Sequence, residues 1–183
     1  MFREIRRSRQ ALPAEEGKAI LHRNTAGVLS LHDEVYPYGV PISYAYEEES
    51  REPGALYGTV YFHCATKGHK LESIGRNDHV SFCVIDRDRI VPEKFTTEFR
   101  SVIAFGVARV VSDDAEKRHG LELLAKKYSP GLDEAADTEI KGEWDHTCVI
   151  AIDLDYFSTK EAIELVRARG AGHAGEEEDS AEA

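Results

Sequence analysis

Cysteine is scarce. The three residues, Cys64, Cys83 and Cys148, are odd in number, show no CxxC spacing and lie in apolar runs. That excludes a disulfide-built framework and argues for buried, reduced thiols in a reducing compartment. Long apolar stretches are also missing: none approaches the roughly 20 residues of a membrane span, and the N-terminus has no apolar signal core. Positive charge is in deficit, with 23 Lys and Arg against 34 Asp and Glu for a formal net charge of −11. Such a balance speaks against a nucleic-acid partner, because proteins that bind polyanions present a basic surface. Cytoplasmic residence is the expectation.

Several catalytic signatures are absent too. Neither a GxGxxG dinucleotide turn nor a GxxxxGK phosphate loop occurs, so nucleotide binding by those routes is not indicated. No GxSxG nucleophile elbow is present. A zinc site built from His63, Cys64, His69, His79 and Cys83 misses the CxxC and HExxH spacings. Adjacent strand residues such as His63 and Cys64 would in any case point to opposite faces. No metal site is expected, and no internal repeat appears.

What remains is ordinary for a globular domain: 183 residues, 42% apolar and 31% charged, enough to bury a core without disulfides or metals. Five acids (Glu176, Glu177, Glu178, Asp179 and Glu182) fall in GAGHAGEEEDSAEA from Gly170 onward and leave the rest of the chain at about −6. Like charge and few apolar residues predict one folded domain over 1–169 and a disordered acidic tail over 170–183.

In chain order, an amphipathic helix is expected from Leu12 to His22, opened by Pro13, Glu15 and Glu16 and ending near Asn24. Thr25–Leu31 and Tyr38–Tyr46 read as a strand hairpin in which Pro41 needs an edge or a bulge. Pro41 fits an ordinary aggregation-resistant edge, or an edge left open for a ligand. Glu47–Ala55 is a polar tip. Thr59–Cys64 and the run closing at Ile85 are strands, and Asp86–Pro92 is a charged connection. Lys94–Ser112 carries a long strand with Gly106 as a bulge or close-approach point. Asp113–Tyr128 is an amphipathic helix, Glu134–Lys141 a short one, and Thr147–Asp153 the last strong strand. Tyr156–Thr159 then leads into a helix over Lys160–Arg169. Strands arranged as adjacent hairpins fit a mainly β, closed antiparallel or mixed sheet with peripheral helices.

The most informative stretch is Gly58–Ile85, GTVYFHCATKGHKLESIGRNDHVSFCVI. It reads as strand, turn, short helix, turn and strand. Thr66 is the expected N-cap, Gly68 admits a ligand to the backbone, and His69 and Lys70 stand in the first helical turn. Unpaired amides and the macrodipole make such a terminus a cradle for phosphate. Alone, each part has a plainer reading, His63 as an ordinary surface or core histidine among them.

Tyr61, Phe62, His63, Ala65, Gly68, Lys70, Ile74, Asn77, Val80 and Phe82 follow the pattern Y-F-H-x-A-x-x-G-x-K-x-x-x-[IL]-x-x-N-x-x-V-x-F. The chain thereby resembles the pyridoxamine 5′-phosphate oxidase-like FMN-binding split-barrel proteins, and among them the nitroimidazole-resistance (Nim) branch. The resemblance spans roughly Leu12–Asp155, with only this central stretch specific. It implies an FMN-binding split β-barrel working as a homodimer, with flavin at the subunit interface. It further implies an FMN-dependent oxidoreductase acting on nitroaromatic or related small molecules with NAD(P)H. Haem binding on the same scaffold, and a non-catalytic flavin carrier or sensor, are the alternatives.

By the same resemblance Val40, Pro41, Ile42 and Ser43 line the flavin ring; Thr66, the amides near Gly68 and Lys70 are expected to meet the phosphate, with Ala65 and His69 also cofactor-binding candidates. His63 stands close to the cofactor as the candidate catalytic residue, while Tyr38 or Trp144 would cover the ring. The family's aromatic-Arg-Ser-Val element corresponds to Phe99, Arg100, Ser101 and Val102. Arg100 and Ser101 either position flavin across the dimer or, for Arg100, pair with a carboxylate. Thr159-Lys160 stands where the family usually has Gly-Lys, which weakens any role for Lys160.

Overall fold

The structure, a computed structural model, describes residues 2–3, 5–49 and 56–169. The expected acidic tail and most of the polar tip near Glu47–Ala55 lie outside the described residues. Seven strands, β1 (Ala26–Leu31), β2 (Tyr38–Ser43), β3 (Ala45–Glu47), β4 (Thr59–Ala65), β5 (His79–Val91), β6 (Thr96–Val110) and β7 (Thr147–Glu161), form one antiparallel sheet. Its order is β2-β1-β5-β6-β7-β4-β3.

The two outermost strands, β2 and β3, are consecutive in sequence and separated only by Tyr44. The sheet must therefore curl until its edges meet at that residue, which makes a split β-barrel. Tyr38–Tyr46, expected as one strand, is thus two segments serving opposite edges. Tyr44 is fully buried, its hydroxyl donates to Leu21 O at 2.8 Å, and its ring meets Phe82 edge-on at 4.9 Å.

Inside the barrel lie Leu29, Val60, Phe62, Phe82, Val84, Val102, Ala104, Ile150 and Ile152. These alternate along their strands with residues on the outer face, as period-2 geometry requires. Helix α1 (Ala14–Arg23) adds Ile20 and Leu21 to this core, and its Gly17 sits where a Cβ would be 2.3 Å from the Phe157 ring. Helix α2 (His69–Arg76) adds Ile74. Helices α3 (Asp114–Tyr128) and α4 (Asp133–Gly142) cover the outer face of β4 and β7 through a second cluster of Tyr61, Leu121, Ile140, Val149 and Ala151.

Two strands outrun their sequence signals. Asp86–Val91 is not a connection but the continuation of β5, and Asp86 is the bulge residue where the register shifts between Ile85 and Arg87. The bulge turns Asp86 towards α1, where Arg23 and Asn24 donate to it at 2.6–2.9 Å. The Arg23 hydrogen bonds hold its carboxyl below the usual carboxylate range despite partial burial. Strand β7 likewise runs on to Glu161, and only 163–169 is helical. Pairing with β6 down to Arg100↔Glu161 supplies the ladder that Tyr156–Thr159 does not advertise. Gly106 lies at a register shift, with the place for a Cβ only 2.2 Å from Asp153 O.

Candidate functional site

At the end of β4 the chain turns through Thr66–Gly68 into α2. The N-cap is Gly68 rather than Thr66, and its backbone (φ 142°, ψ 168°) lies in a region where only glycine is comfortable. This backbone brings the first intrahelical bonds, from the Leu71 and Glu72 amides, onto Gly68 O, which makes Gly68 the cap. The amides of His69 and Lys70 precede those bonds. Nothing lies within 4 Å of the position a Gly68 Cβ would take, so the cradle opens outward.

Around it, His69 stacks on Tyr38 at 4.3 Å, and its Nε2 stands 2.9 Å from Asp33 Oδ2. Arg76 holds the other oxygen of Asp33 at 2.5 Å. Burial works against that carboxylate, but His69, the Glu34 amide and the charge of Arg76 keep it below the usual range. His69 is therefore tied down rather than free to follow a ligand, and Tyr38 covers an imidazole. Lys70 has no carboxylate partner among the described residues, and its Nζ lies 5.3 Å from the centre of the Phe62 ring.

Because β4 alternates, Phe62 and Cys64 face the barrel core while Tyr61, His63 and Ala65 face outward. The side chains of His63 and Lys70 thus lie on opposite sides of one strand. His63 is exposed, makes no hydrogen bond among the described residues, and opens into a cavity of ≈ 750 Å³ between the sheet and α3–α4. That volume falls within the ordinary range for small-molecule sites. Ser43, Tyr128, Thr147 and Glu139 contribute polar groups to its lining, and Leu121, Leu124 and Ile140 an apolar wall. Ala65 pairs with Thr147, so the cavity floor runs directly up to the turn before α2.

The remaining expected residues are divided. Val40 and Ile42 turn half-buried towards the core; Pro41 and Ser43 are exposed on the other face of β2. Pro41 pairs with Val28 on an edge strand, where its missing N–H disturbs no ladder. Trp144 packs against α3, with Lys117 Nζ 4.3 Å above its ring, and is absent from the cavity lining. Arg100 and Ser101 stand beside Glu161 and Lys160 at the C-terminal end of β7, whereas Ala65 stands beside its first residue, Thr147. These ends are separated by roughly 40 Å of curled strand. Arg100 there donates to Glu161 at 3.0 Å and to Glu16 at 3.4 Å, the structural pairing open from its sequence.

Sequence reading missed the wall of the cavity. Leu121 and Leu124 were visible as an apolar stripe, but nothing in α4 or at Thr147 advertised a place beside His63. It also missed Asp33, whose grip on His69 and Arg76 depends on a tertiary approach.

A seven-stranded split barrel with helices around it, an open glycine turn and a histidine-lined cleft define the class. The sequence matches the pyridoxamine 5′-phosphate oxidase family over residues 13–161, and the chain belongs to that family. No curated protein matches it. A candidate 5-nitroimidazole antibiotic resistance protein from Bacteroides thetaiotaomicron shares 22% identity and a TM-score of 0.64, over 82% of this chain and 86% of its own. A conserved hypothetical protein from Mycobacterium tuberculosis superposes with a TM-score of 0.71 at 15% identity, covering 86% and 90% of the two chains. A FAD- and haem-binding protein from Mycobacterium smegmatis gives 0.64 at 20% identity, over 84% and 73%. These likenesses show the fold. Among the described residues no helix is long and apolar enough to cross a membrane, and no group of three or more His, Cys, Asp or Glu converges on a metal-sized site.

Proposed function

We propose that the chain is a flavin-dependent oxidoreductase that binds FMN and reduces small nitroaromatic or related acceptors with NAD(P)H in the cytoplasm. The observation that carries this reading is the open Gly68 turn. Two helix-start amides stand there beside Lys70, whose ammonium has no carboxylate partner among the described residues, while the other face of β4 delivers His63 into a cavity of ≈ 750 Å³. A phosphate fits those donors, because it needs amide N–H groups, positive charge and a close backbone approach. The family supports a flavin, and the FAD- and haem-binding structural relative keeps the nucleotide portion of that flavin open.

When bound, flavin supplies two-electron transfer to a small acceptor. The chain's residues would do the rest. The His69 and Lys70 amides and Lys70 Nζ hold the phosphate, with Thr66 and Ala65 forming the near side of the turn. Pro41 and Ser43 offer an exposed edge for the ring. The ring nitrogens of His63 orient the acceptor or hold a proton. Leu121, Leu124 and Ile140 keep water from the cavity wall.

A homodimer is part of the proposal. The outer faces of β1, β5 and β6 expose Val28, Ile85, Ile103 and Phe105 together with Pro41 of β2. The pairings Pro41↔Val28, Val28↔Cys83 and Cys83↔Ile103 make this one connected strip, of the kind that marks an interaction site. In such a dimer Arg100 and Ser101 would reach a site only from the second copy, and the carboxylates around Arg100 favour a structural role for it.

The test begins with the absorption spectrum of the protein as purified, where flavin and haem bands differ, and with sedimentation to read the dimer. Lys70→Ala should lower flavin retention at least tenfold with the circular dichroism spectrum and melting temperature unchanged. Equal retention would overturn the cradle. NAD(P)H oxidation that a nitro acceptor does not accelerate would reduce the reading to a flavin carrier or sensor.

A further inference from the structure

Cys64 and Cys148 occupy directly opposed positions of the β4–β7 ladder. Directly opposed residues of an antiparallel pair have Cα atoms about 4.5–5.5 Å apart, inside the roughly 4.4–6.8 Å that a disulfide spans. Both side chains pack on the same side of the sheet, against the barrel core, and both are half-buried and reduced. The two sulfurs are close enough to influence each other electrostatically, and the Cys148 thiol donates weakly to Val149 O at 3.9 Å. Cys83, the third thiol, lies on the outer face of β5 between Val28 and Ile103, with no sulfur opposite it.

We infer that Cys64 and Cys148 form a reversible dithiol–disulfide pair, oxidised by hydroperoxides, which staples the end of β4 to the start of β7. In the first step the Cys148 thiolate attacks the nearer peroxide oxygen. The O–O bond breaks, an S–O bond forms, and the alcohol or water leaves with a proton from solvent. In the second step the Cys64 sulfur attacks the Cys148 sulfur, and the hydroxide that departs takes the Cys64 proton as water. Two thiols and one hydroperoxide give one disulfide, one alcohol (water, for hydrogen peroxide) and one water. Two electrons pass from sulfur to oxygen.

The surroundings set the order and pace of these steps. Burial pushes both thiols above their usual range, so thiolate is scarce at neutral pH. The charge of Lys70 opposes that shift at both sulfurs. At Cys148 the charge of Lys117 opposes it as well, which favours Cys148 as the first nucleophile. Oxidation is accordingly slow at pH 7 and accelerates as the pH rises. The staple closes one residue before Ala65 and the turn into α2, so it fixes the strand end from which the cavity floor and the Gly68 turn depart.

The experiment uses the full chain, reduced, freed of reductant under argon and treated with one equivalent of hydrogen peroxide. The thiol titre under denaturing conditions should fall from three to one, with the mass lower by two hydrogen atoms. Peptide mapping should join Cys64 to Cys148, and dithiothreitol should restore all three thiols. In the Cys83→Ser variant the titre should fall from two to none. An unchanged titre, a sulfinic acid at either residue, a link that includes Cys83, or a covalent dimer on a non-reducing gel would each overturn the inference.

Discussion

The hydroxyl of Tyr128 clasps Tyr44 by both of its backbone groups, accepting from Tyr44 N–H at 2.8 Å and facing Tyr44 O at 2.8 Å. Thr25 O lies within its reach as well. Tyr44 is the single residue between β2 and β3, the seam at which the curled sheet closes. Its amide and carbonyl have no strand neighbour there, so a side chain from α3 stands in for the missing ladder. Tyr128→Phe leaves buried backbone groups without that partner, and the expected loss is about 1–3 kcal/mol of stability in denaturant titration. Hydrogen exchange should quicken at the Tyr44 amide before the rest of the barrel. Uniform exchange would mean that the seam holds without the hydroxyl.

The β-rich character, the β1–β2 hairpin, the Gly106 irregularity and the helices from Asp113 and Glu134 were legible because each has a local cause. Period-2 apolar runs, a proline, a glycine and a helix dipole pattern act over a few residues. The split at Tyr44 was not legible, since YGVPISYAY reads as one uninterrupted strand and only closure of the sheet divides it. The extension of β5 through Asp86–Val91 was hidden for a similar reason: its side chains are charged because both faces of that ribbon are wet. For the site, the Gly68 turn could be read from composition. That Lys70 and His63 diverge follows from strand alternation, but what His63 then meets depends on α3 and α4, which approach from more than fifty residues away.

Two glycines, Gly68 at the N-cap of α2 and Gly75 within it, make a matched test of the turn. A Cβ at Gly68 or at Gly75 would meet nothing within 4 Å, yet only Gly68 has a positive φ, 142°. Gly68→Ala should therefore lose about 1–3 kcal/mol through backbone strain alone and weaken flavin retention by reshaping the cradle. Gly75→Ala, inside the helix, should gain about 0.5–1 kcal/mol and leave retention unchanged. Thermal melts with a flavin titration of both variants check this. Equal melting temperatures would show that the turn relaxes to a helix-compatible form.

Under α3, the Arg109 guanidinium donates to both oxygens of Glu116 at 2.7 and 2.9 Å and to Asp153 at 2.7 Å. Tyr61 and Thr59 donate to the same two carboxylates. Those hydrogen bonds hold Arg109 protonated well beyond its ordinary range. The group ties α3, whose Leu121 and Leu124 line the cavity, to β4, β6 and β7. Arg109→Met leaves two nearly buried carboxylates facing each other without their cation. The expected loss is about 2–4 kcal/mol, reduced from the fully buried case because the arginine is 27% exposed. The double variant Arg109→Met with Glu116→Gln should recover part of that loss. No recovery would mean that the arginine acts by packing rather than charge.

One residue before the Tyr128 clasp, Lys127 Nζ is buried without a hydrogen-bond partner among the described residues and sits 4.1 Å from the centre of the Tyr44 ring. Desolvation lowers its pKa from 10.5 to about 8. Below pH 8 the amine is charged in both folded and unfolded chains, so the full penalty for burying an ammonium is present. Between pH 8 and 10.5 the folded chain has released the proton while the unfolded chain still binds it, and stability rises with pH. The rise should amount to about 1–2 kcal/mol once solvent screening is discounted. Lys127→Met removes the titrating group. The variant should be about 1 kcal/mol more stable than the parent at pH 7, after loss of the cation–π contact, with the difference shrinking towards pH 10. Denaturant midpoints measured from pH 6 to 10 check the sign, and two parallel curves would show that the ammonium is solvated as it stands.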